Sequence, residues 1–230
     1  MVADGKWENH VRSAESGRPK GRIYGGLTQE KRREARRSRL LEAGLELFSS
    51  EGYHRTPIER ICERSHVATR HFYELYPGKE EFFRDLLDTL IEDSRRAVLE
   101  ALRGEFKDPV EEVRAGISAF VRSYLDDPRR ARVVLVEAVG ISPEMERHRR
   151  ELIHGFARII EEKAEEMKRS GTLPDRDYSM GSLALAGAVN ELMIDWVYSK
   201  SPPPKERVIE EIVDLFRLVI FGLSTLRDRL

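Results

Sequence analysis

The chain has 230 residues, of which 40% are apolar and 35% charged, with a formal net charge of −1 and a single cysteine. That length allows a substantial buried core in one large or two small domains, and one cysteine excludes an internal disulfide framework and suits a reducing compartment. There is no apolar leader near Met1 and no apolar run of membrane-spanning length, so a soluble, cytoplasmic protein without a membrane partner is expected.

The charge is unevenly placed. Residues 1–40 hold eleven Lys or Arg against five Asp or Glu, a net of +6 that leaves −7 on the rest. Residues 1–28 are polar and glycine-rich without a helical period, and are expected to form a disordered basic arm. Lys31, Arg32, Arg33, Arg36, Arg37 and Arg39 follow, a run that suits either phosphate contacts or plain solvation. From residue 29 to 50 the apolar positions Leu40, Leu41, Gly44, Leu45, Leu47 and Phe48 recur at helical spacing and predict a long amphipathic helix.

Thr56 to Tyr76 then reads as two short helices joined by a tight turn. Thr56, Pro57 and Glu59 form a capping-box pattern that starts the first helix at Pro57, with Ile58, Ile61 and Cys62 on its inward face. Ser65-His66-Val67 breaks it, and Ala68 to Leu75 forms the second helix, with Phe72 inward and Thr69, Arg70 and His71 outward. This is a helix-turn-helix pattern, and those three outward residues are candidate base readers.

Leu40 to Phe48, Glu51-Gly-Tyr53, Thr56, Ile61 to Arg64, Val67, Phe72-Tyr73, Tyr76-Pro77 and Lys79-Glu80 together resemble the DNA-binding domain of TetR-type transcriptional repressors over residues 29–80. The resemblance implies an all-α protein with a three-helix DNA-binding domain at 29–80 and a ligand-binding and dimerisation domain at 81–230. It further implies a homodimer that binds double-stranded operator DNA and releases it when a small-molecule effector enters the C-terminal domain. It places Thr56, Tyr73 and Lys79 at the motif's rim as phosphate contacts. The chain departs from the family pattern at the turn, where His66 replaces the usual Gly, and at the second helix's cap, where Ala68 replaces Ser or Thr. It departs again where Arg70 replaces a small residue and Leu75 an aromatic phosphate contact.

The remainder reads as helix after helix, punctuated by Pro and Gly: Pro77 to about Leu102, Pro109 to Leu125, Pro128 to Val139, Pro143 to Arg169, Tyr178 to Tyr198 and Lys205 to Leu226. The last of these is apolar nearly all round from Leu215 to Leu223, and Gly181 to Val189 is rich in small residues. Such faces suggest a subunit interface through Leu185, Val189, Phe216, Val219, Ile220 and Leu223.

Phe120, Tyr124, Val134, Phe156, Met193 and Trp196 are candidate linings of an apolar effector cavity, and Asn190 is a polar group in an apolar run that needs a partner when buried. Glu151 and His154 stand at an E-x-x-H spacing, but no second such motif follows, so no metal site is assigned. Cys62 reads as a plain buried thiol. Without a phosphate loop, a nucleophile elbow or a cofactor fingerprint, no enzyme and no cofactor are expected. The alternatives to an effector-controlled regulator are a helical metal-binding enzyme and a DNA-binding regulator controlled by a protein partner.

Overall fold

The computed structural model describes residues 28–227, apart from the side chains of Phe221 and residues 223–227. The basic arm therefore lies outside the described residues, except for Thr28, whose hydroxyl accepts from Lys31 N–H and caps the first helix. The described residues are all helical: α1 (Gln29–Glu51), α2 (Ile58–Ser65), α3 (Thr69–Tyr73), α4 (Lys79–Ala101), α5 (Pro109–Leu125), α6 (Pro128–Arg132), α7 (Pro143–Arg169), α8 (Ser179–Tyr198) and α9 (Lys205–Arg227).

The proline signals mark true starts because each proline sits where no N–H is needed and follows a capping side chain. Asp108 accepts from Val110 and Glu111 N–H, Asp127 from Arg129 N–H, and Ser142 from Met145 N–H. One predicted helix is different. The stretch Pro128 to Val139 begins as α6 and then widens into a π-helical segment, Val133–Glu137. The segment serves two cores: Val133 belongs to one, Leu135 to the other, and Val134 packs on both.

The first core joins α1, α2 and α3 to the N-terminal half of α4. Phe48, Phe72, Phe82 and Phe83 are fully enclosed in it, with ring centroids 5.0–6.0 Å apart between Phe48 or Phe72 and its neighbours. Because Phe82, Phe83, Leu86, Leu87 and Leu90 complete this core, the domain divide expected at residue 80 cuts the packing unit. The second core joins α5, α6, α8 and α9, with Val121, Met193, Ile212 and Val213 at its centre.

The capping box at Thr56 is not formed. α2 starts at Ile58 with Pro57 as its cap residue, and the buried Thr56 hydroxyl donates instead to Gly52 O at 2.8 Å. With the cap position moved to Pro57 and the Thr56 hydroxyl committed to Gly52 O, the two groups of the expected box are not in register. In the turn, His66 holds the left-handed conformation (φ 54°, ψ 39°) that glycine usually supplies, and its N–H closes α2 onto Cys62 and Glu63 carbonyls. A non-glycine side chain stores roughly 1–2 kcal/mol of strain there.

Candidate nucleic-acid interface and effector cavity

The second helix of the motif is short and held from behind. Phe72 is fully buried, with ring centroids 5.4 Å from both Tyr76 and Phe82, which aims the other side of α3 outward. Thr69, Arg70 and Tyr73 are exposed, the last by 53%, while His71 is half-buried. His71 Nδ1 lies 2.9 Å from Glu74 Oε2, and Arg36 reaches the same oxygen at 3.5 Å. Hydrogen bonding from His71 and the nearby positive charges hold the Glu74 carboxyl below its ordinary range. Ala68 caps α3 without a side-chain hydrogen bond, as its methyl requires. Burial raises the pKa of the Cys62 thiol, as expected of an inert core cysteine.

Three expected phosphate-binding or basic-run residues are placed elsewhere. The Thr56 side chain is enclosed and faces no solvent, so it does not stand on the motif's rim. Lys79 turns inward: its ammonium donates to Tyr53 O at 2.9 Å and Thr56 O at 3.1 Å and lies 4.4 Å from the Tyr53 ring centroid. Two carbonyls of the α1–α2 turn thereby gain a charged donor, and burial lowers the lysine pKa. Arg37 leaves the basic run to clasp Asp85 with two nitrogens at 2.7 and 2.8 Å. Lys31, Arg33 and Arg39 remain exposed on α1.

A cavity of about 370 Å³ opens between α4, α5, α7, α8 and α9. Ile117, Phe120, Phe156, Ile160, Leu185 and Phe216 give it an apolar wall. Its charged wall residues are Glu112, Lys163, Arg176 and Asp177; Lys163 pairs with Glu112 and Glu166, each at 2.7 Å, while Arg176 stacks toward Tyr178 at 5.8 Å. Burial depresses Lys163, but those two carboxylates outweigh it and raise its pKa, so the ammonium stays charged. Among the described residues Arg176 forms no ion pair. A second space of about 50 Å³ adjoins, lined by Leu87, Ile91, Tyr124, Val134 and Leu135.

Of the expected lining residues, Phe120, Phe156 and Asn190 border both spaces, and Tyr124 and Val134 border the smaller one. Among the described residues the Asn190 amide has no hydrogen-bond partner. Met193 and Trp196 line neither space. Met193 is fully buried in the second core, and Trp196 ties down the end of α8 by donating from Nε1 to Pro203 O at 2.9 Å. Conversely, Leu185, Val189, Phe216, Val219 and Ile220, expected at a subunit seam, line the larger cavity. Leu223 has no described side chain. The outward apolar residues are Met180 (83% exposed), Leu183, Leu192 and Tyr198 on α8 and Leu218 (73% exposed) on α9. The cavity's share of α8 and α9 was hidden in the sequence because an all-apolar helix does not reveal which side faces inward. Glu151 and His154 are both exposed on α7, and no three potential metal ligands cluster among the described residues. None of these helices is long and apolar enough to cross a membrane.

Residues 40–86 match the family model for bacterial regulatory proteins of the tetR family, and residues 107–220 match the tetracyclin repressor-like C-terminal domain. The chain belongs to the TetR family. It is a transcriptional regulator with a DNA-binding helix-turn-helix. An HTH-type transcriptional regulator of Bacillus subtilis, YhgD, is 22% identical over 195 residues, spanning 82% of this chain and 97% of the relative. Two solved structures share the TetR fold. One is FadR of Bacillus subtilis with stearoyl-CoA (TM-score 0.69, 18% identity, 77% of this chain and 96% of that one). The other is AibR with isovaleryl coenzyme A and operator DNA (TM-score 0.61, 16% identity, 78% of this chain and 97% of that one).

Proposed function

We propose that the protein is a homodimeric repressor that leaves its operator when an acyl-coenzyme A thioester enters the cavity between α5, α7, α8 and α9. The observation that carries this reading is the cavity itself, which joins a long apolar wall to a mouth bearing Arg176, a cation that forms no ion pair among the described residues. An acyl chain suits the wall, and a phosphate-bearing head suits the cation. Two proteins of the same fold bind acyl-CoA molecules, one long and one short. Coupling has a physical route, because Val134 and Leu135 border the smaller space while Glu137, at the end of the same segment, accepts from Tyr53 N–H at 3.0 Å in the DNA-binding unit. The test is a gel shift on the operator with stearoyl-CoA or isovaleryl-CoA added. Release by either supports the reading; unaltered binding with both, together with release by a co-purified protein, would favour control by a protein partner.

On DNA, Thr69, Arg70 and His71 face the major groove and Tyr73 the backbone. Arg70→Ala should remove a contact worth roughly 1–3 kcal/mol of base discrimination while retaining non-specific binding. Operator-variant titrations check this, and an unchanged base preference removes Arg70 from the readers.

The dimer forms through the outward faces of α8 and α9, where Met180, Leu183, Tyr198 and Leu218 expose large apolar groups. Met180→Glu combined with Leu218→Glu should give monomers at micromolar concentration in sedimentation experiments, since each copy of the seam would enclose unpaired charge. A persistent dimer would move the interface off this face.

A further inference from the structure

Phe120 and Phe156 stand between the two spaces, with ring centroids 5.0 Å apart and planes at 77°. Behind them the smaller space is bordered by Leu87 and Ile91 of α4, Tyr124 of α5, Val134 and Leu135 of the π-helical segment and, as its one charged neighbour among the described residues, Arg149 of α7. Phe120 is braced from behind by Tyr124, whose ring lies 5.2 Å away at 65° and is almost fully enclosed. The Phe156 ring has no aromatic brace besides Phe120 among the described residues. Of the two rings, Phe156 is therefore the one with less aromatic bracing.

We infer that the Phe120–Phe156 pair is a gate that sets effector chain length, and that the space behind it is a terminal compartment for the last carbons of a straight apolar chain. This inference rests on the acyl-chain reading of the larger cavity. A 150 Å³ cavity that holds six-carbon benzene corresponds to roughly 25 Å³ per carbon. On that scale the 370 Å³ space takes about fifteen carbons and the 50 Å³ space about two. A chain that stops at the gate gains from each carbon. A longer one must displace the Phe156 ring before it gains more. The terminal compartment touches α4 and the π-helical segment, so length is sensed at the elements that pack on the DNA-binding unit.

The unpartnered Asn190 amide lies at the same wall. A fully saturated chain crossing it leaves that amide dry and unsatisfied, which adds to the barrier that the rings impose.

The experiment measures binding of two homologous series, straight-chain acyl-CoA thioesters and straight-chain primary alcohols, to the full-length wild type, Phe156→Ala, and Phe156→Ala combined with Val134→Leu. Each added methylene should tighten binding about fourfold until the chain meets the gate, then stop. In Phe156→Ala the plateau should move to chains at least two carbons longer, a gain of roughly tenfold or more for those chains. Val134→Leu in the same background should shorten the plateau by about one carbon, because it occupies the compartment itself; melting temperatures confirm that both variants are folded. An unmoved plateau in Phe156→Ala overturns the gate, and a plateau indifferent to Val134→Leu overturns the compartment, with the acyl-CoA reading intact in both cases. If the alcohols show the shift and no thioester binds, the gate stands and the acyl-CoA reading falls. If neither series binds, both are overturned.

Discussion

Asp85→Ala should lower stability by about 3 kcal/mol, a fall in melting temperature of roughly 6–12 °C for a chain of this size. Asp85 accepts from Arg37 Nε and Nη2 and from Tyr76 Oη at 2.6 Å, while Arg37 also donates to Thr89. One carboxylate thus ties α1, the end of the α3 turn and α4 together. Its removal leaves a half-buried guanidinium and a largely buried phenol without their acceptor; a fully buried pair would cost about 3–5 kcal/mol, and the 31% exposure of Arg37 reduces that. The same clamp predicts a pH dependence. Burial pushes the Asp85 carboxyl up, but the hydrogen bonds from Arg37 and Tyr76 outweigh it and hold the pKa below the ordinary 3.8. A depressed folded-state pKa gives stability that is complete above 3.8 and is lost as pH falls through the lower folded value. Urea titrations from pH 6 to pH 3 should show that part of the slope in the wild type and not in Asp85→Ala. A variant within about 1 kcal/mol of the wild type would mean that desolvation cancels the clamp.

The second large effect reverses a rule of helices. Gly44→Ala should destabilise by about 1–2 kcal/mol, although alanine normally gains about 1 kcal/mol over glycine inside a helix. A Cβ at Gly44 would stand 2.6 and 2.8 Å from two atoms of the Phe82 ring. That ring is fully buried and cannot retreat, being hemmed in by Phe48, Phe72 and Tyr76 at 5.1–6.0 Å between centroids. Overpacking of this kind costs roughly 1–3 kcal/mol, and with so close an approach to a ring that cannot retreat it lies in the upper part of that range, which exceeds the propensity gain by about 1–2 kcal/mol. Gly155→Ala on α7 is the control, since its Cβ would meet only the flexible end of Arg158 at 3.7 Å, and it should be neutral or stabilising. Equal effects at the two positions, measured by denaturant midpoint, would mean that the α1–α4 contact is looser than the ring packing implies.

The sequence by itself determined the elements and the motif. Asp108, Asp127 and Ser142 before prolines set the starts of α5, α6 and α7, and the spacing of Leu40 to Phe48 and of Phe82 to Ile91 set the inward faces of α1 and α4. These signals act within about one helical turn, so they survive without knowledge of the fold. Of the expected outward set Thr69, Arg70 and His71, the first two are exposed because Phe72 alone anchors so short a helix, whereas His71 is half-buried against Glu74. Asn190 was legible as a polar group in an apolar run, and the structure places it at the wall of both spaces.

Only the tertiary structure decided where long-range partners sit. Arg37 meets Asp85 across 48 positions and Lys79 meets Tyr53 O across 26, so a basic run and a rim lysine became internal fasteners. Glu137 reaches Tyr53 N–H across 84 positions. The π-helical segment arises because Val133 and Leu135 must serve two cores at once. On α8, and on α9 from Leu215 to Leu223, the apolar residues nearly encircle the helix, so periodicity there carries no direction. Packing against α5 and α7 turned Leu185, Val189 and Phe216 toward the cavity and left Met180 and Leu218 outside. Local propensity chooses a helix, but which side of an apolar helix is buried depends on the surface that covers it, and that surface comes from distant parts of the chain.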